Sequence, residues 1–186
     1  IMIDGKCYTI GFSDRNYEYL EKYAPFIIEN GGDLPSYLPE DIQDKVKKVV
    51  QKAALSMGIE TGIIKGDIVV HGGKPYVIEL AARLSGGYFC THEIPMNTGV
   101  DLVGNAIKMA IGESVDPNDL KPKFNRNVCQ RYLMNNENRK LYNRSSEQVF
   151  NMRGVNQYVI KEIKNENNSP VNSNGWVAMV ITTGEN

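Results

Sequence analysis

The run Gly62-Ile63-Ile64-Lys65-Gly66-Asp67-Ile68-Val69-Val70-His71-Gly72-Gly73-Lys74-Pro75-Tyr76-Val77-Ile78-Glu79-Leu80-Ala81-Ala82-Arg83-Leu84-Ser85-Gly86-Gly87 decides how this chain reads. Two segments rich in Ile and Val, residues 59–70 and 76–82, flank His71–Pro75. That loop-like composition between them predicts a β-hairpin. If residues 71–75 all lie outside the ladder, the loop centres on Gly73. Asp67 then faces Glu79, Lys65 faces Ala81 and Val69 faces Val77. Directly opposed side chains have Cβ atoms about 5 Å apart. Two carboxylates so placed repel by about 3 kcal/mol at an effective dielectric near 20. A divalent cation reverses that sign, because Mg²⁺ is held by one or two carboxylates together with phosphate oxygens. A two-residue Gly72-Gly73 turn instead shifts the register by one and separates the acids. Acidic residues are also common on solvated faces, so at this point both readings stand.

The residues after Glu79 add to the metal reading. Glu79, Ala81 and Arg83 share a strand face by period two. This puts a forked guanidinium, suited to phosphate or carboxylate, on the side of the acidic pair. Ser85-Gly86-Gly87 can offer backbone N–H groups to an anion, although such a run is usually only a turn. Lys65 shares the face of Asp67, where it reaches either a phosphate or the acidic pair itself. His92 and Glu93 follow the glycine loop and either line an acceptor pocket or lie on a helix surface. Cys90 reads as a small buried apolar residue.

Around this centre, residues 39–57 form the clearest helix. Pro39 suits its first position, and Glu40 and Asp41 suit the positive end of its dipole. Ile42, Val46, Val49, Val50, Ala53 and Met57 make one apolar face, and Gly58 stops it. A second helix covers about Val100–Ile111, with Val103, Ala106, Ile107, Ala110 and Ile111 inward and Thr98-x-x-Asp101 at its start. Ile1–Tyr8 reads as strand, Asp4-Gly5 turn, strand. Residues 6–13 read as a strand, and 14–38 receive no firm assignment.

Residues 121–186 hold 10 basic and 5 acidic residues (net +5), against 11 and 17 (net −6) before them. Alternation at Val128–Leu133, Tyr158–Ile163 and Trp176–Thr182 predicts a small antiparallel β unit there. A soft boundary near Pro117 divides the chain into 1–116 and 117–186. Tyr132, Tyr142 and Tyr158 interleave with the basic residues of 121–164, which raises single-stranded nucleic-acid binding as a rival reading. No aromatic–basic motif repeats, and the whole chain has net charge −1, so no nucleic-acid partner is expected. No apolar run is long enough for a membrane span. Three cysteines without C-x-x-C spacing suggest neither a disulfide framework nor a zinc site, and a reducing cytoplasm is expected.

With these residues set out, the chain resembles the ATP-grasp superfamily, in its carboxylate–amine ligase and carbamoyl-phosphate-synthase-like branch. In that family an acidic residue twelve positions before the glutamate binds Mg²⁺, a spacing kept by Asp67 and Glu79. Glu79 and Arg83 keep its E-x-x-x-R pattern, whose arginine contacts the transferred phosphate or the acyl phosphate. Ala53–Ile59 looks like the helix leading into the metal strand, Thr98–Val103 like the following helix, and 128–184 like the small β extension. The likeness spans most of the chain, most sharply 53–112.

The resemblance implies an α+β fold: a C-terminal ATP-grasp subdomain of antiparallel sheet with packed helices, then a small antiparallel β extension. It implies ATP and Mg²⁺ as cofactors, with a small-molecule carboxylate and an amine as substrates. Asp67 and Glu79 become metal ligands, and Arg83 and Lys65 catalytic residues. Arg15, Ser85, Gly86, Gly87 and His92 become phosphate or substrate contacts. A homodimer is compatible with this picture. Many members carry Asn two residues after the glutamate as a further ligand, where this chain has Ala81. That departure keeps open a non-catalytic nucleotide-binding or scaffold module. The chain opens on half a hairpin without an initiator methionine. The expectation is therefore that the family's N-terminal domain and lid precede Ile1, and that this piece folds without catalysing.

Overall fold

The computed structural model describes residues 1–134, 146–161 and 175–184. In chain order its strands and helices are β1 (Met2–Ile3), β2 (Lys6–Cys7), β3 (Asp14–Arg15), β4 (Gly31–Leu34), α1 (Glu40–Ser56), β5 (Lys65–His71) and β6 (Lys74–Ala81). Then follow a π-helical turn (Phe89–Glu93), α2 (Ile94–Thr98), α3 (Leu102–Ala110), a 3₁₀ turn (Pro117–Leu120), β7 (Val128–Met134), α4 (Ser146–Phe150), β8 (Val155–Ile160) and β9 (Trp176–Thr183). Helices and antiparallel sheets together make the expected α+β fold. Among the described residues no helix is long and apolar enough to cross a membrane.

The chain forms two compact units, residues 1–12 with 37–125, and residues 13–36 with 126–186. This division differs from the sequence boundary near Pro117, and strand pairing is the reason. β4 pairs along β7, Gly31 with Arg131 through Leu34 with Val128, so an early segment belongs with the late sheet.

In the first unit, Asp4 and Gly5 take left-handed backbones (φ 48° and 77°) and close the predicted β1–β2 hairpin. The helix α1 packs on β6 and β2. Pro39 caps α1 from outside rather than occupying its first turn. Val46 and Ala54 are its buried residues, whereas Met57 lies past its end and is exposed. Asp101 caps α3, its Oδ1 accepting from Gly104 N at 2.8 Å. Thr98 instead ends α2, donating its hydroxyl to Ile94 O. The buried residues of α3 are Leu102 and Asn105, so the inward face is rotated from the predicted one, and Ile107, Ala110 and Ile111 are exposed. A core of Ile1, Ile10, Cys90, Ile94, Val100, Leu102, Val115 and Leu120 holds this unit together.

The second unit is one antiparallel sheet in the order β3-β4-β7-β9-β8, with Met179 and Ile181 of β9 fully buried. The three predicted strands appear in it, together with β3 and β4 from the unassigned 14–38. The end of the predicted Tyr158–Ile163 strand, and Tyr142, lie outside the described residues. At Gly31 (φ +128°) a Cβ would sit 1.9 Å from Gln130 O, so only glycine lets β4 approach β7.

Candidate active site on the β5–β6 hairpin

The hairpin turn is Gly72-Gly73, both with left-handed backbones (φ 55° and 72°). Such a two-residue turn needs φ > 0 at both positions, which glycine supplies at no steric cost. Its ladder begins His71 with Lys74, then Val70 with Pro75, Val69 with Tyr76 and Ile68 with Val77. This is the register that separates the acids, and Val69 therefore faces Tyr76 rather than Val77. A β-bulge then intervenes: Ile78 is skipped, and Asp67 pairs with Glu79, Gly66 with Leu80 and Lys65 with Ala81. The carboxylates do face each other, by a route different from the one the loop composition suggests.

The bulge has a packing cause. Val77 faces Ile68 and Leu80 faces Gly66, so both sit on the face opposite the acids. A Cβ on Gly66 would lie 3.3 Å from Leu80 and 3.7 Å from Val50, which identifies that face as the one against α1. Val77 and Leu80 are three residues apart. Period two cannot put both on one side, so one residue must be ejected from the ladder. Ile78, 68% exposed, is that residue. The broken alternation Val77-Ile78-Glu79-Leu80 was the sequence signal for it.

Beside the acids, Lys65 Nζ lies 2.5 Å from Asp67 Oδ2 and 3.6 Å from Glu79 Oε1. The side chains of Lys65 and Asp67 are 14% and 26% exposed, that of Glu79 55%. Lys65 thus pairs with both acids, which is one of its two expected roles. β6 ends at Ala81, so Arg83 lies beyond the strand. Its guanidinium still comes within 3.9 Å of Glu79 Oε1 and donates to Leu84 O at 3.1 Å.

The glycine loop is fastened from below. Ser85 N–H donates to Cys90 Sγ at 3.2 Å, and Phe89 N–H to Gly86 O at 3.2 Å. One of the three N–H groups expected to face an anion is therefore committed inward. Gly87 and Tyr88 follow with left-handed backbones (φ 65° and 69°) and turn the chain into the π-helical segment. There His92 stacks edge-on against Tyr88 at 5.1 Å and shares a 2.8 Å hydrogen bond between Nδ1 and Thr91 Oγ1. Glu93 is buried, 3% exposed, and not on a helix surface. Burial pushes the Cys90 thiol pKa up, as expected of a small buried residue.

Arg15 belongs to the second unit, where it is ion-paired with Glu29 at 2.6 Å. That unit contains a second opposed acidic pair, Asp14 with Asp33, which the sequence did not suggest. Ser36 Oγ donates to Asp14 at 2.7 Å and Arg131 donates to Asp33 at 2.8 Å. Opposition of carboxylates alone does not define a metal site, and the neighbours decide.

Asp67 and Glu79 fit Mg²⁺ by two criteria. Their oxygens are hard donors, and the space beside them already holds a cationic head group, Lys65 Nζ. Among the described residues no group of three or more His, Cys, Asp or Glu side chains converges to hold a metal. A two-carboxylate site suits Mg²⁺, which keeps waters and takes phosphate oxygens as its remaining ligands.

No protein-family model matches the chain. Over 64 residues, 34% of the chain and 20% of the relative, it is 34% identical to a D-alanine–D-alanine ligase of Desulforamulus reducens. Its whole length superposes on phosphoribosylglycinamide synthetase from Anaerococcus prevotii, with TM-score 0.75, 18% identity and 46% of that structure covered. The same holds for L-amino acid ligase from Bacillus licheniformis, with TM-score 0.72, 16% identity and 47% covered. N5-carboxyaminoimidazole ribonucleotide synthetase, solved as an ADP complex, matches 86% of the chain and 38% of its own, with TM-score 0.58 and 14% identity. The fold is the one these ATP-grasp enzymes share. The chain spans about half the length of the first two structures and a fifth of the D-alanine–D-alanine ligase.

Proposed function

We propose that this chain is part of an ATP- and Mg²⁺-dependent ligase that joins a small-molecule carboxylate to an amine through an acyl phosphate. The observation that supports it most is the Asp67–Glu79 pair, opposed across a bulge and flanked by Lys65 and Arg83. Its structural neighbours include a ligase and two synthetases, one of them solved as an ADP complex, which supports the same reading. Asp67 and Glu79 hold Mg²⁺, which, when bound, offsets the negative charge of the ATP phosphates. Arg83, a largely exposed guanidinium two residues past the strand, binds and orients the transferred phosphoryl group. Ser85, Gly86 and Gly87 are phosphate contacts in this reading, and Cys90 and Gly86 O fix the loop that carries them. His92, held by Tyr88 and Thr91, is a further substrate contact in this reading. The partners are small molecules and the remainder of the same polypeptide, in a cytoplasmic setting.

The test is ADP release by protein carrying the complete fold, assayed against panels of carboxylates and amines. Asp67→Ala and Glu79→Ala should each abolish turnover while circular dichroism stays unchanged. Turnover retained in either variant removes the metal role of that residue. One observation favours a second reading: Ala81 stands where many family members carry a further ligand, as in a nucleotide-binding module without catalysis. Metal-dependent nucleotide binding with no ADP release would select it.

A further inference from the structure

Lys65 raises a question that the metal reading leaves open. Its ammonium lies where it contacts both carboxylates, at 2.5 and 3.6 Å, and its side chain is only 14% exposed. Its backbone is fixed in the ladder opposite Ala81, on the face of Asp67, so it is not a mobile surface residue that meets the acids by chance. The chemistry of the pair explains the arrangement. Two carboxylates about 5 Å apart at Cβ repel unless a cation stands with them. Arg83 approaches only Glu79, at 3.9 Å from an exposed position, and does not answer Asp67. Among the described residues, Lys65 is a cation that contacts both.

We propose that Lys65 is an internal counter-ion that competes with the divalent cation for Asp67 and Glu79, an inference that rests on the metal reading of that pair. A lone Mg²⁺ or Mn²⁺ must displace a hydrogen-bonded ammonium before it can reach Asp67 Oδ2. The freed Lys65 then stands beside the metal, where a polyphosphate brings the charge that accepts it. Metal alone binds weakly, metal with phosphate binds well, and the empty hairpin stays free of carboxylate repulsion.

The test measures Mn²⁺ binding to the chain itself, without nucleotide, by electron paramagnetic resonance and calorimetry, alongside thermal unfolding. Lys65→Met keeps the length and apolar stem of the side chain and removes the charge, and Lys65→Gln is a second variant that retains hydrogen bonding. Both should bind Mn²⁺ about tenfold more tightly than the parent, the fold-change for losing one competing charge-assisted hydrogen bond. Both should melt lower than the parent without metal and recover on adding Mn²⁺, which also shows that they fold. Adding Asp67→Asn to Lys65→Met should remove the binding. If the parent binds Mn²⁺ and both Lys65 variants bind it equally or less well, the counter-ion proposal fails while the metal site stands. If neither parent nor variants bind Mn²⁺, the metal reading fails and takes this proposal with it.

Discussion

Neutralising the two acids one at a time should separate their structural from their chemical roles. Asp67→Asn removes the carboxylate that accepts from Lys65 at 2.5 Å between side chains 14% and 26% exposed. A hydrogen bond to a charged group contributes about 1.5–3 kcal/mol net. Lys65 keeps Glu79 at 3.6 Å, and the loss of one acid also relieves the repulsion between the pair, roughly 1 kcal/mol where water screens them. The expected net cost is about 1 kcal/mol. Glu79→Gln removes a more exposed partner, whose pairing stabilises by less than about 1 kcal/mol, and gains the same relief. Its expected cost is near zero. The double variant leaves an ammonium only 14% exposed facing two amides, so it should lose more than the singles together. Urea unfolding at pH 7 without divalent cations measures all three. A Glu79→Gln cost equal to or above that of Asp67→Asn would refute the reasoning, as would strict additivity in the double variant. The rank order in stability is thus unequal, although each substitution is expected to end turnover.

Other expectations follow from single features. Gly31→Ala places a methyl 1.9 Å from Gln130 O and should cost about 3 kcal/mol or more, read by the fluorescence of Trp176, the sole tryptophan, on β9. Burial, then the hydrogen bond with Asp33, pushes the Cys129 thiol from 9.0 up to about 11. The folded state therefore holds this proton more tightly than the unfolded chain. Its contribution is complete below pH 9 and is lost as pH rises toward about 11. Unfolding free energies across that interval should fall less steeply in Cys129→Ala, and an unchanged slope would count against it. Asp101→Ala removes the cap on Gly104 N and should cost about 1 kcal/mol, mostly restored by Asp101→Ser.

Much of the first unit was legible because its determinants are local. Turn glycines and the long helix with Pro39 and acidic residues at its start act within a few residues of themselves. The same holds for the chemistry of the site: the identities and spacing of Lys65, Asp67, Glu79 and Arg83 are properties of the chain. What the tertiary structure decided was which of them meet. The turn chemistry of Gly72-Gly73, taken alone, sets a register that parts Asp67 from Glu79, and the demand that Val77 and Leu80 both pack toward α1 restores it through Ile78. Strand pairing at long range was equally hidden. Asp14–Arg15 and Gly31–Leu34 carry little strand signal of their own; Gly31–Leu34 becomes a strand because β7 offers it partners nearly a hundred residues away, and Asp14–Arg15 because β4 then offers it an edge. The exposed Met57 and Ile107 show the same limit, since an apolar stripe on a helix states which residues can be buried, and only the surface it meets selects those that are.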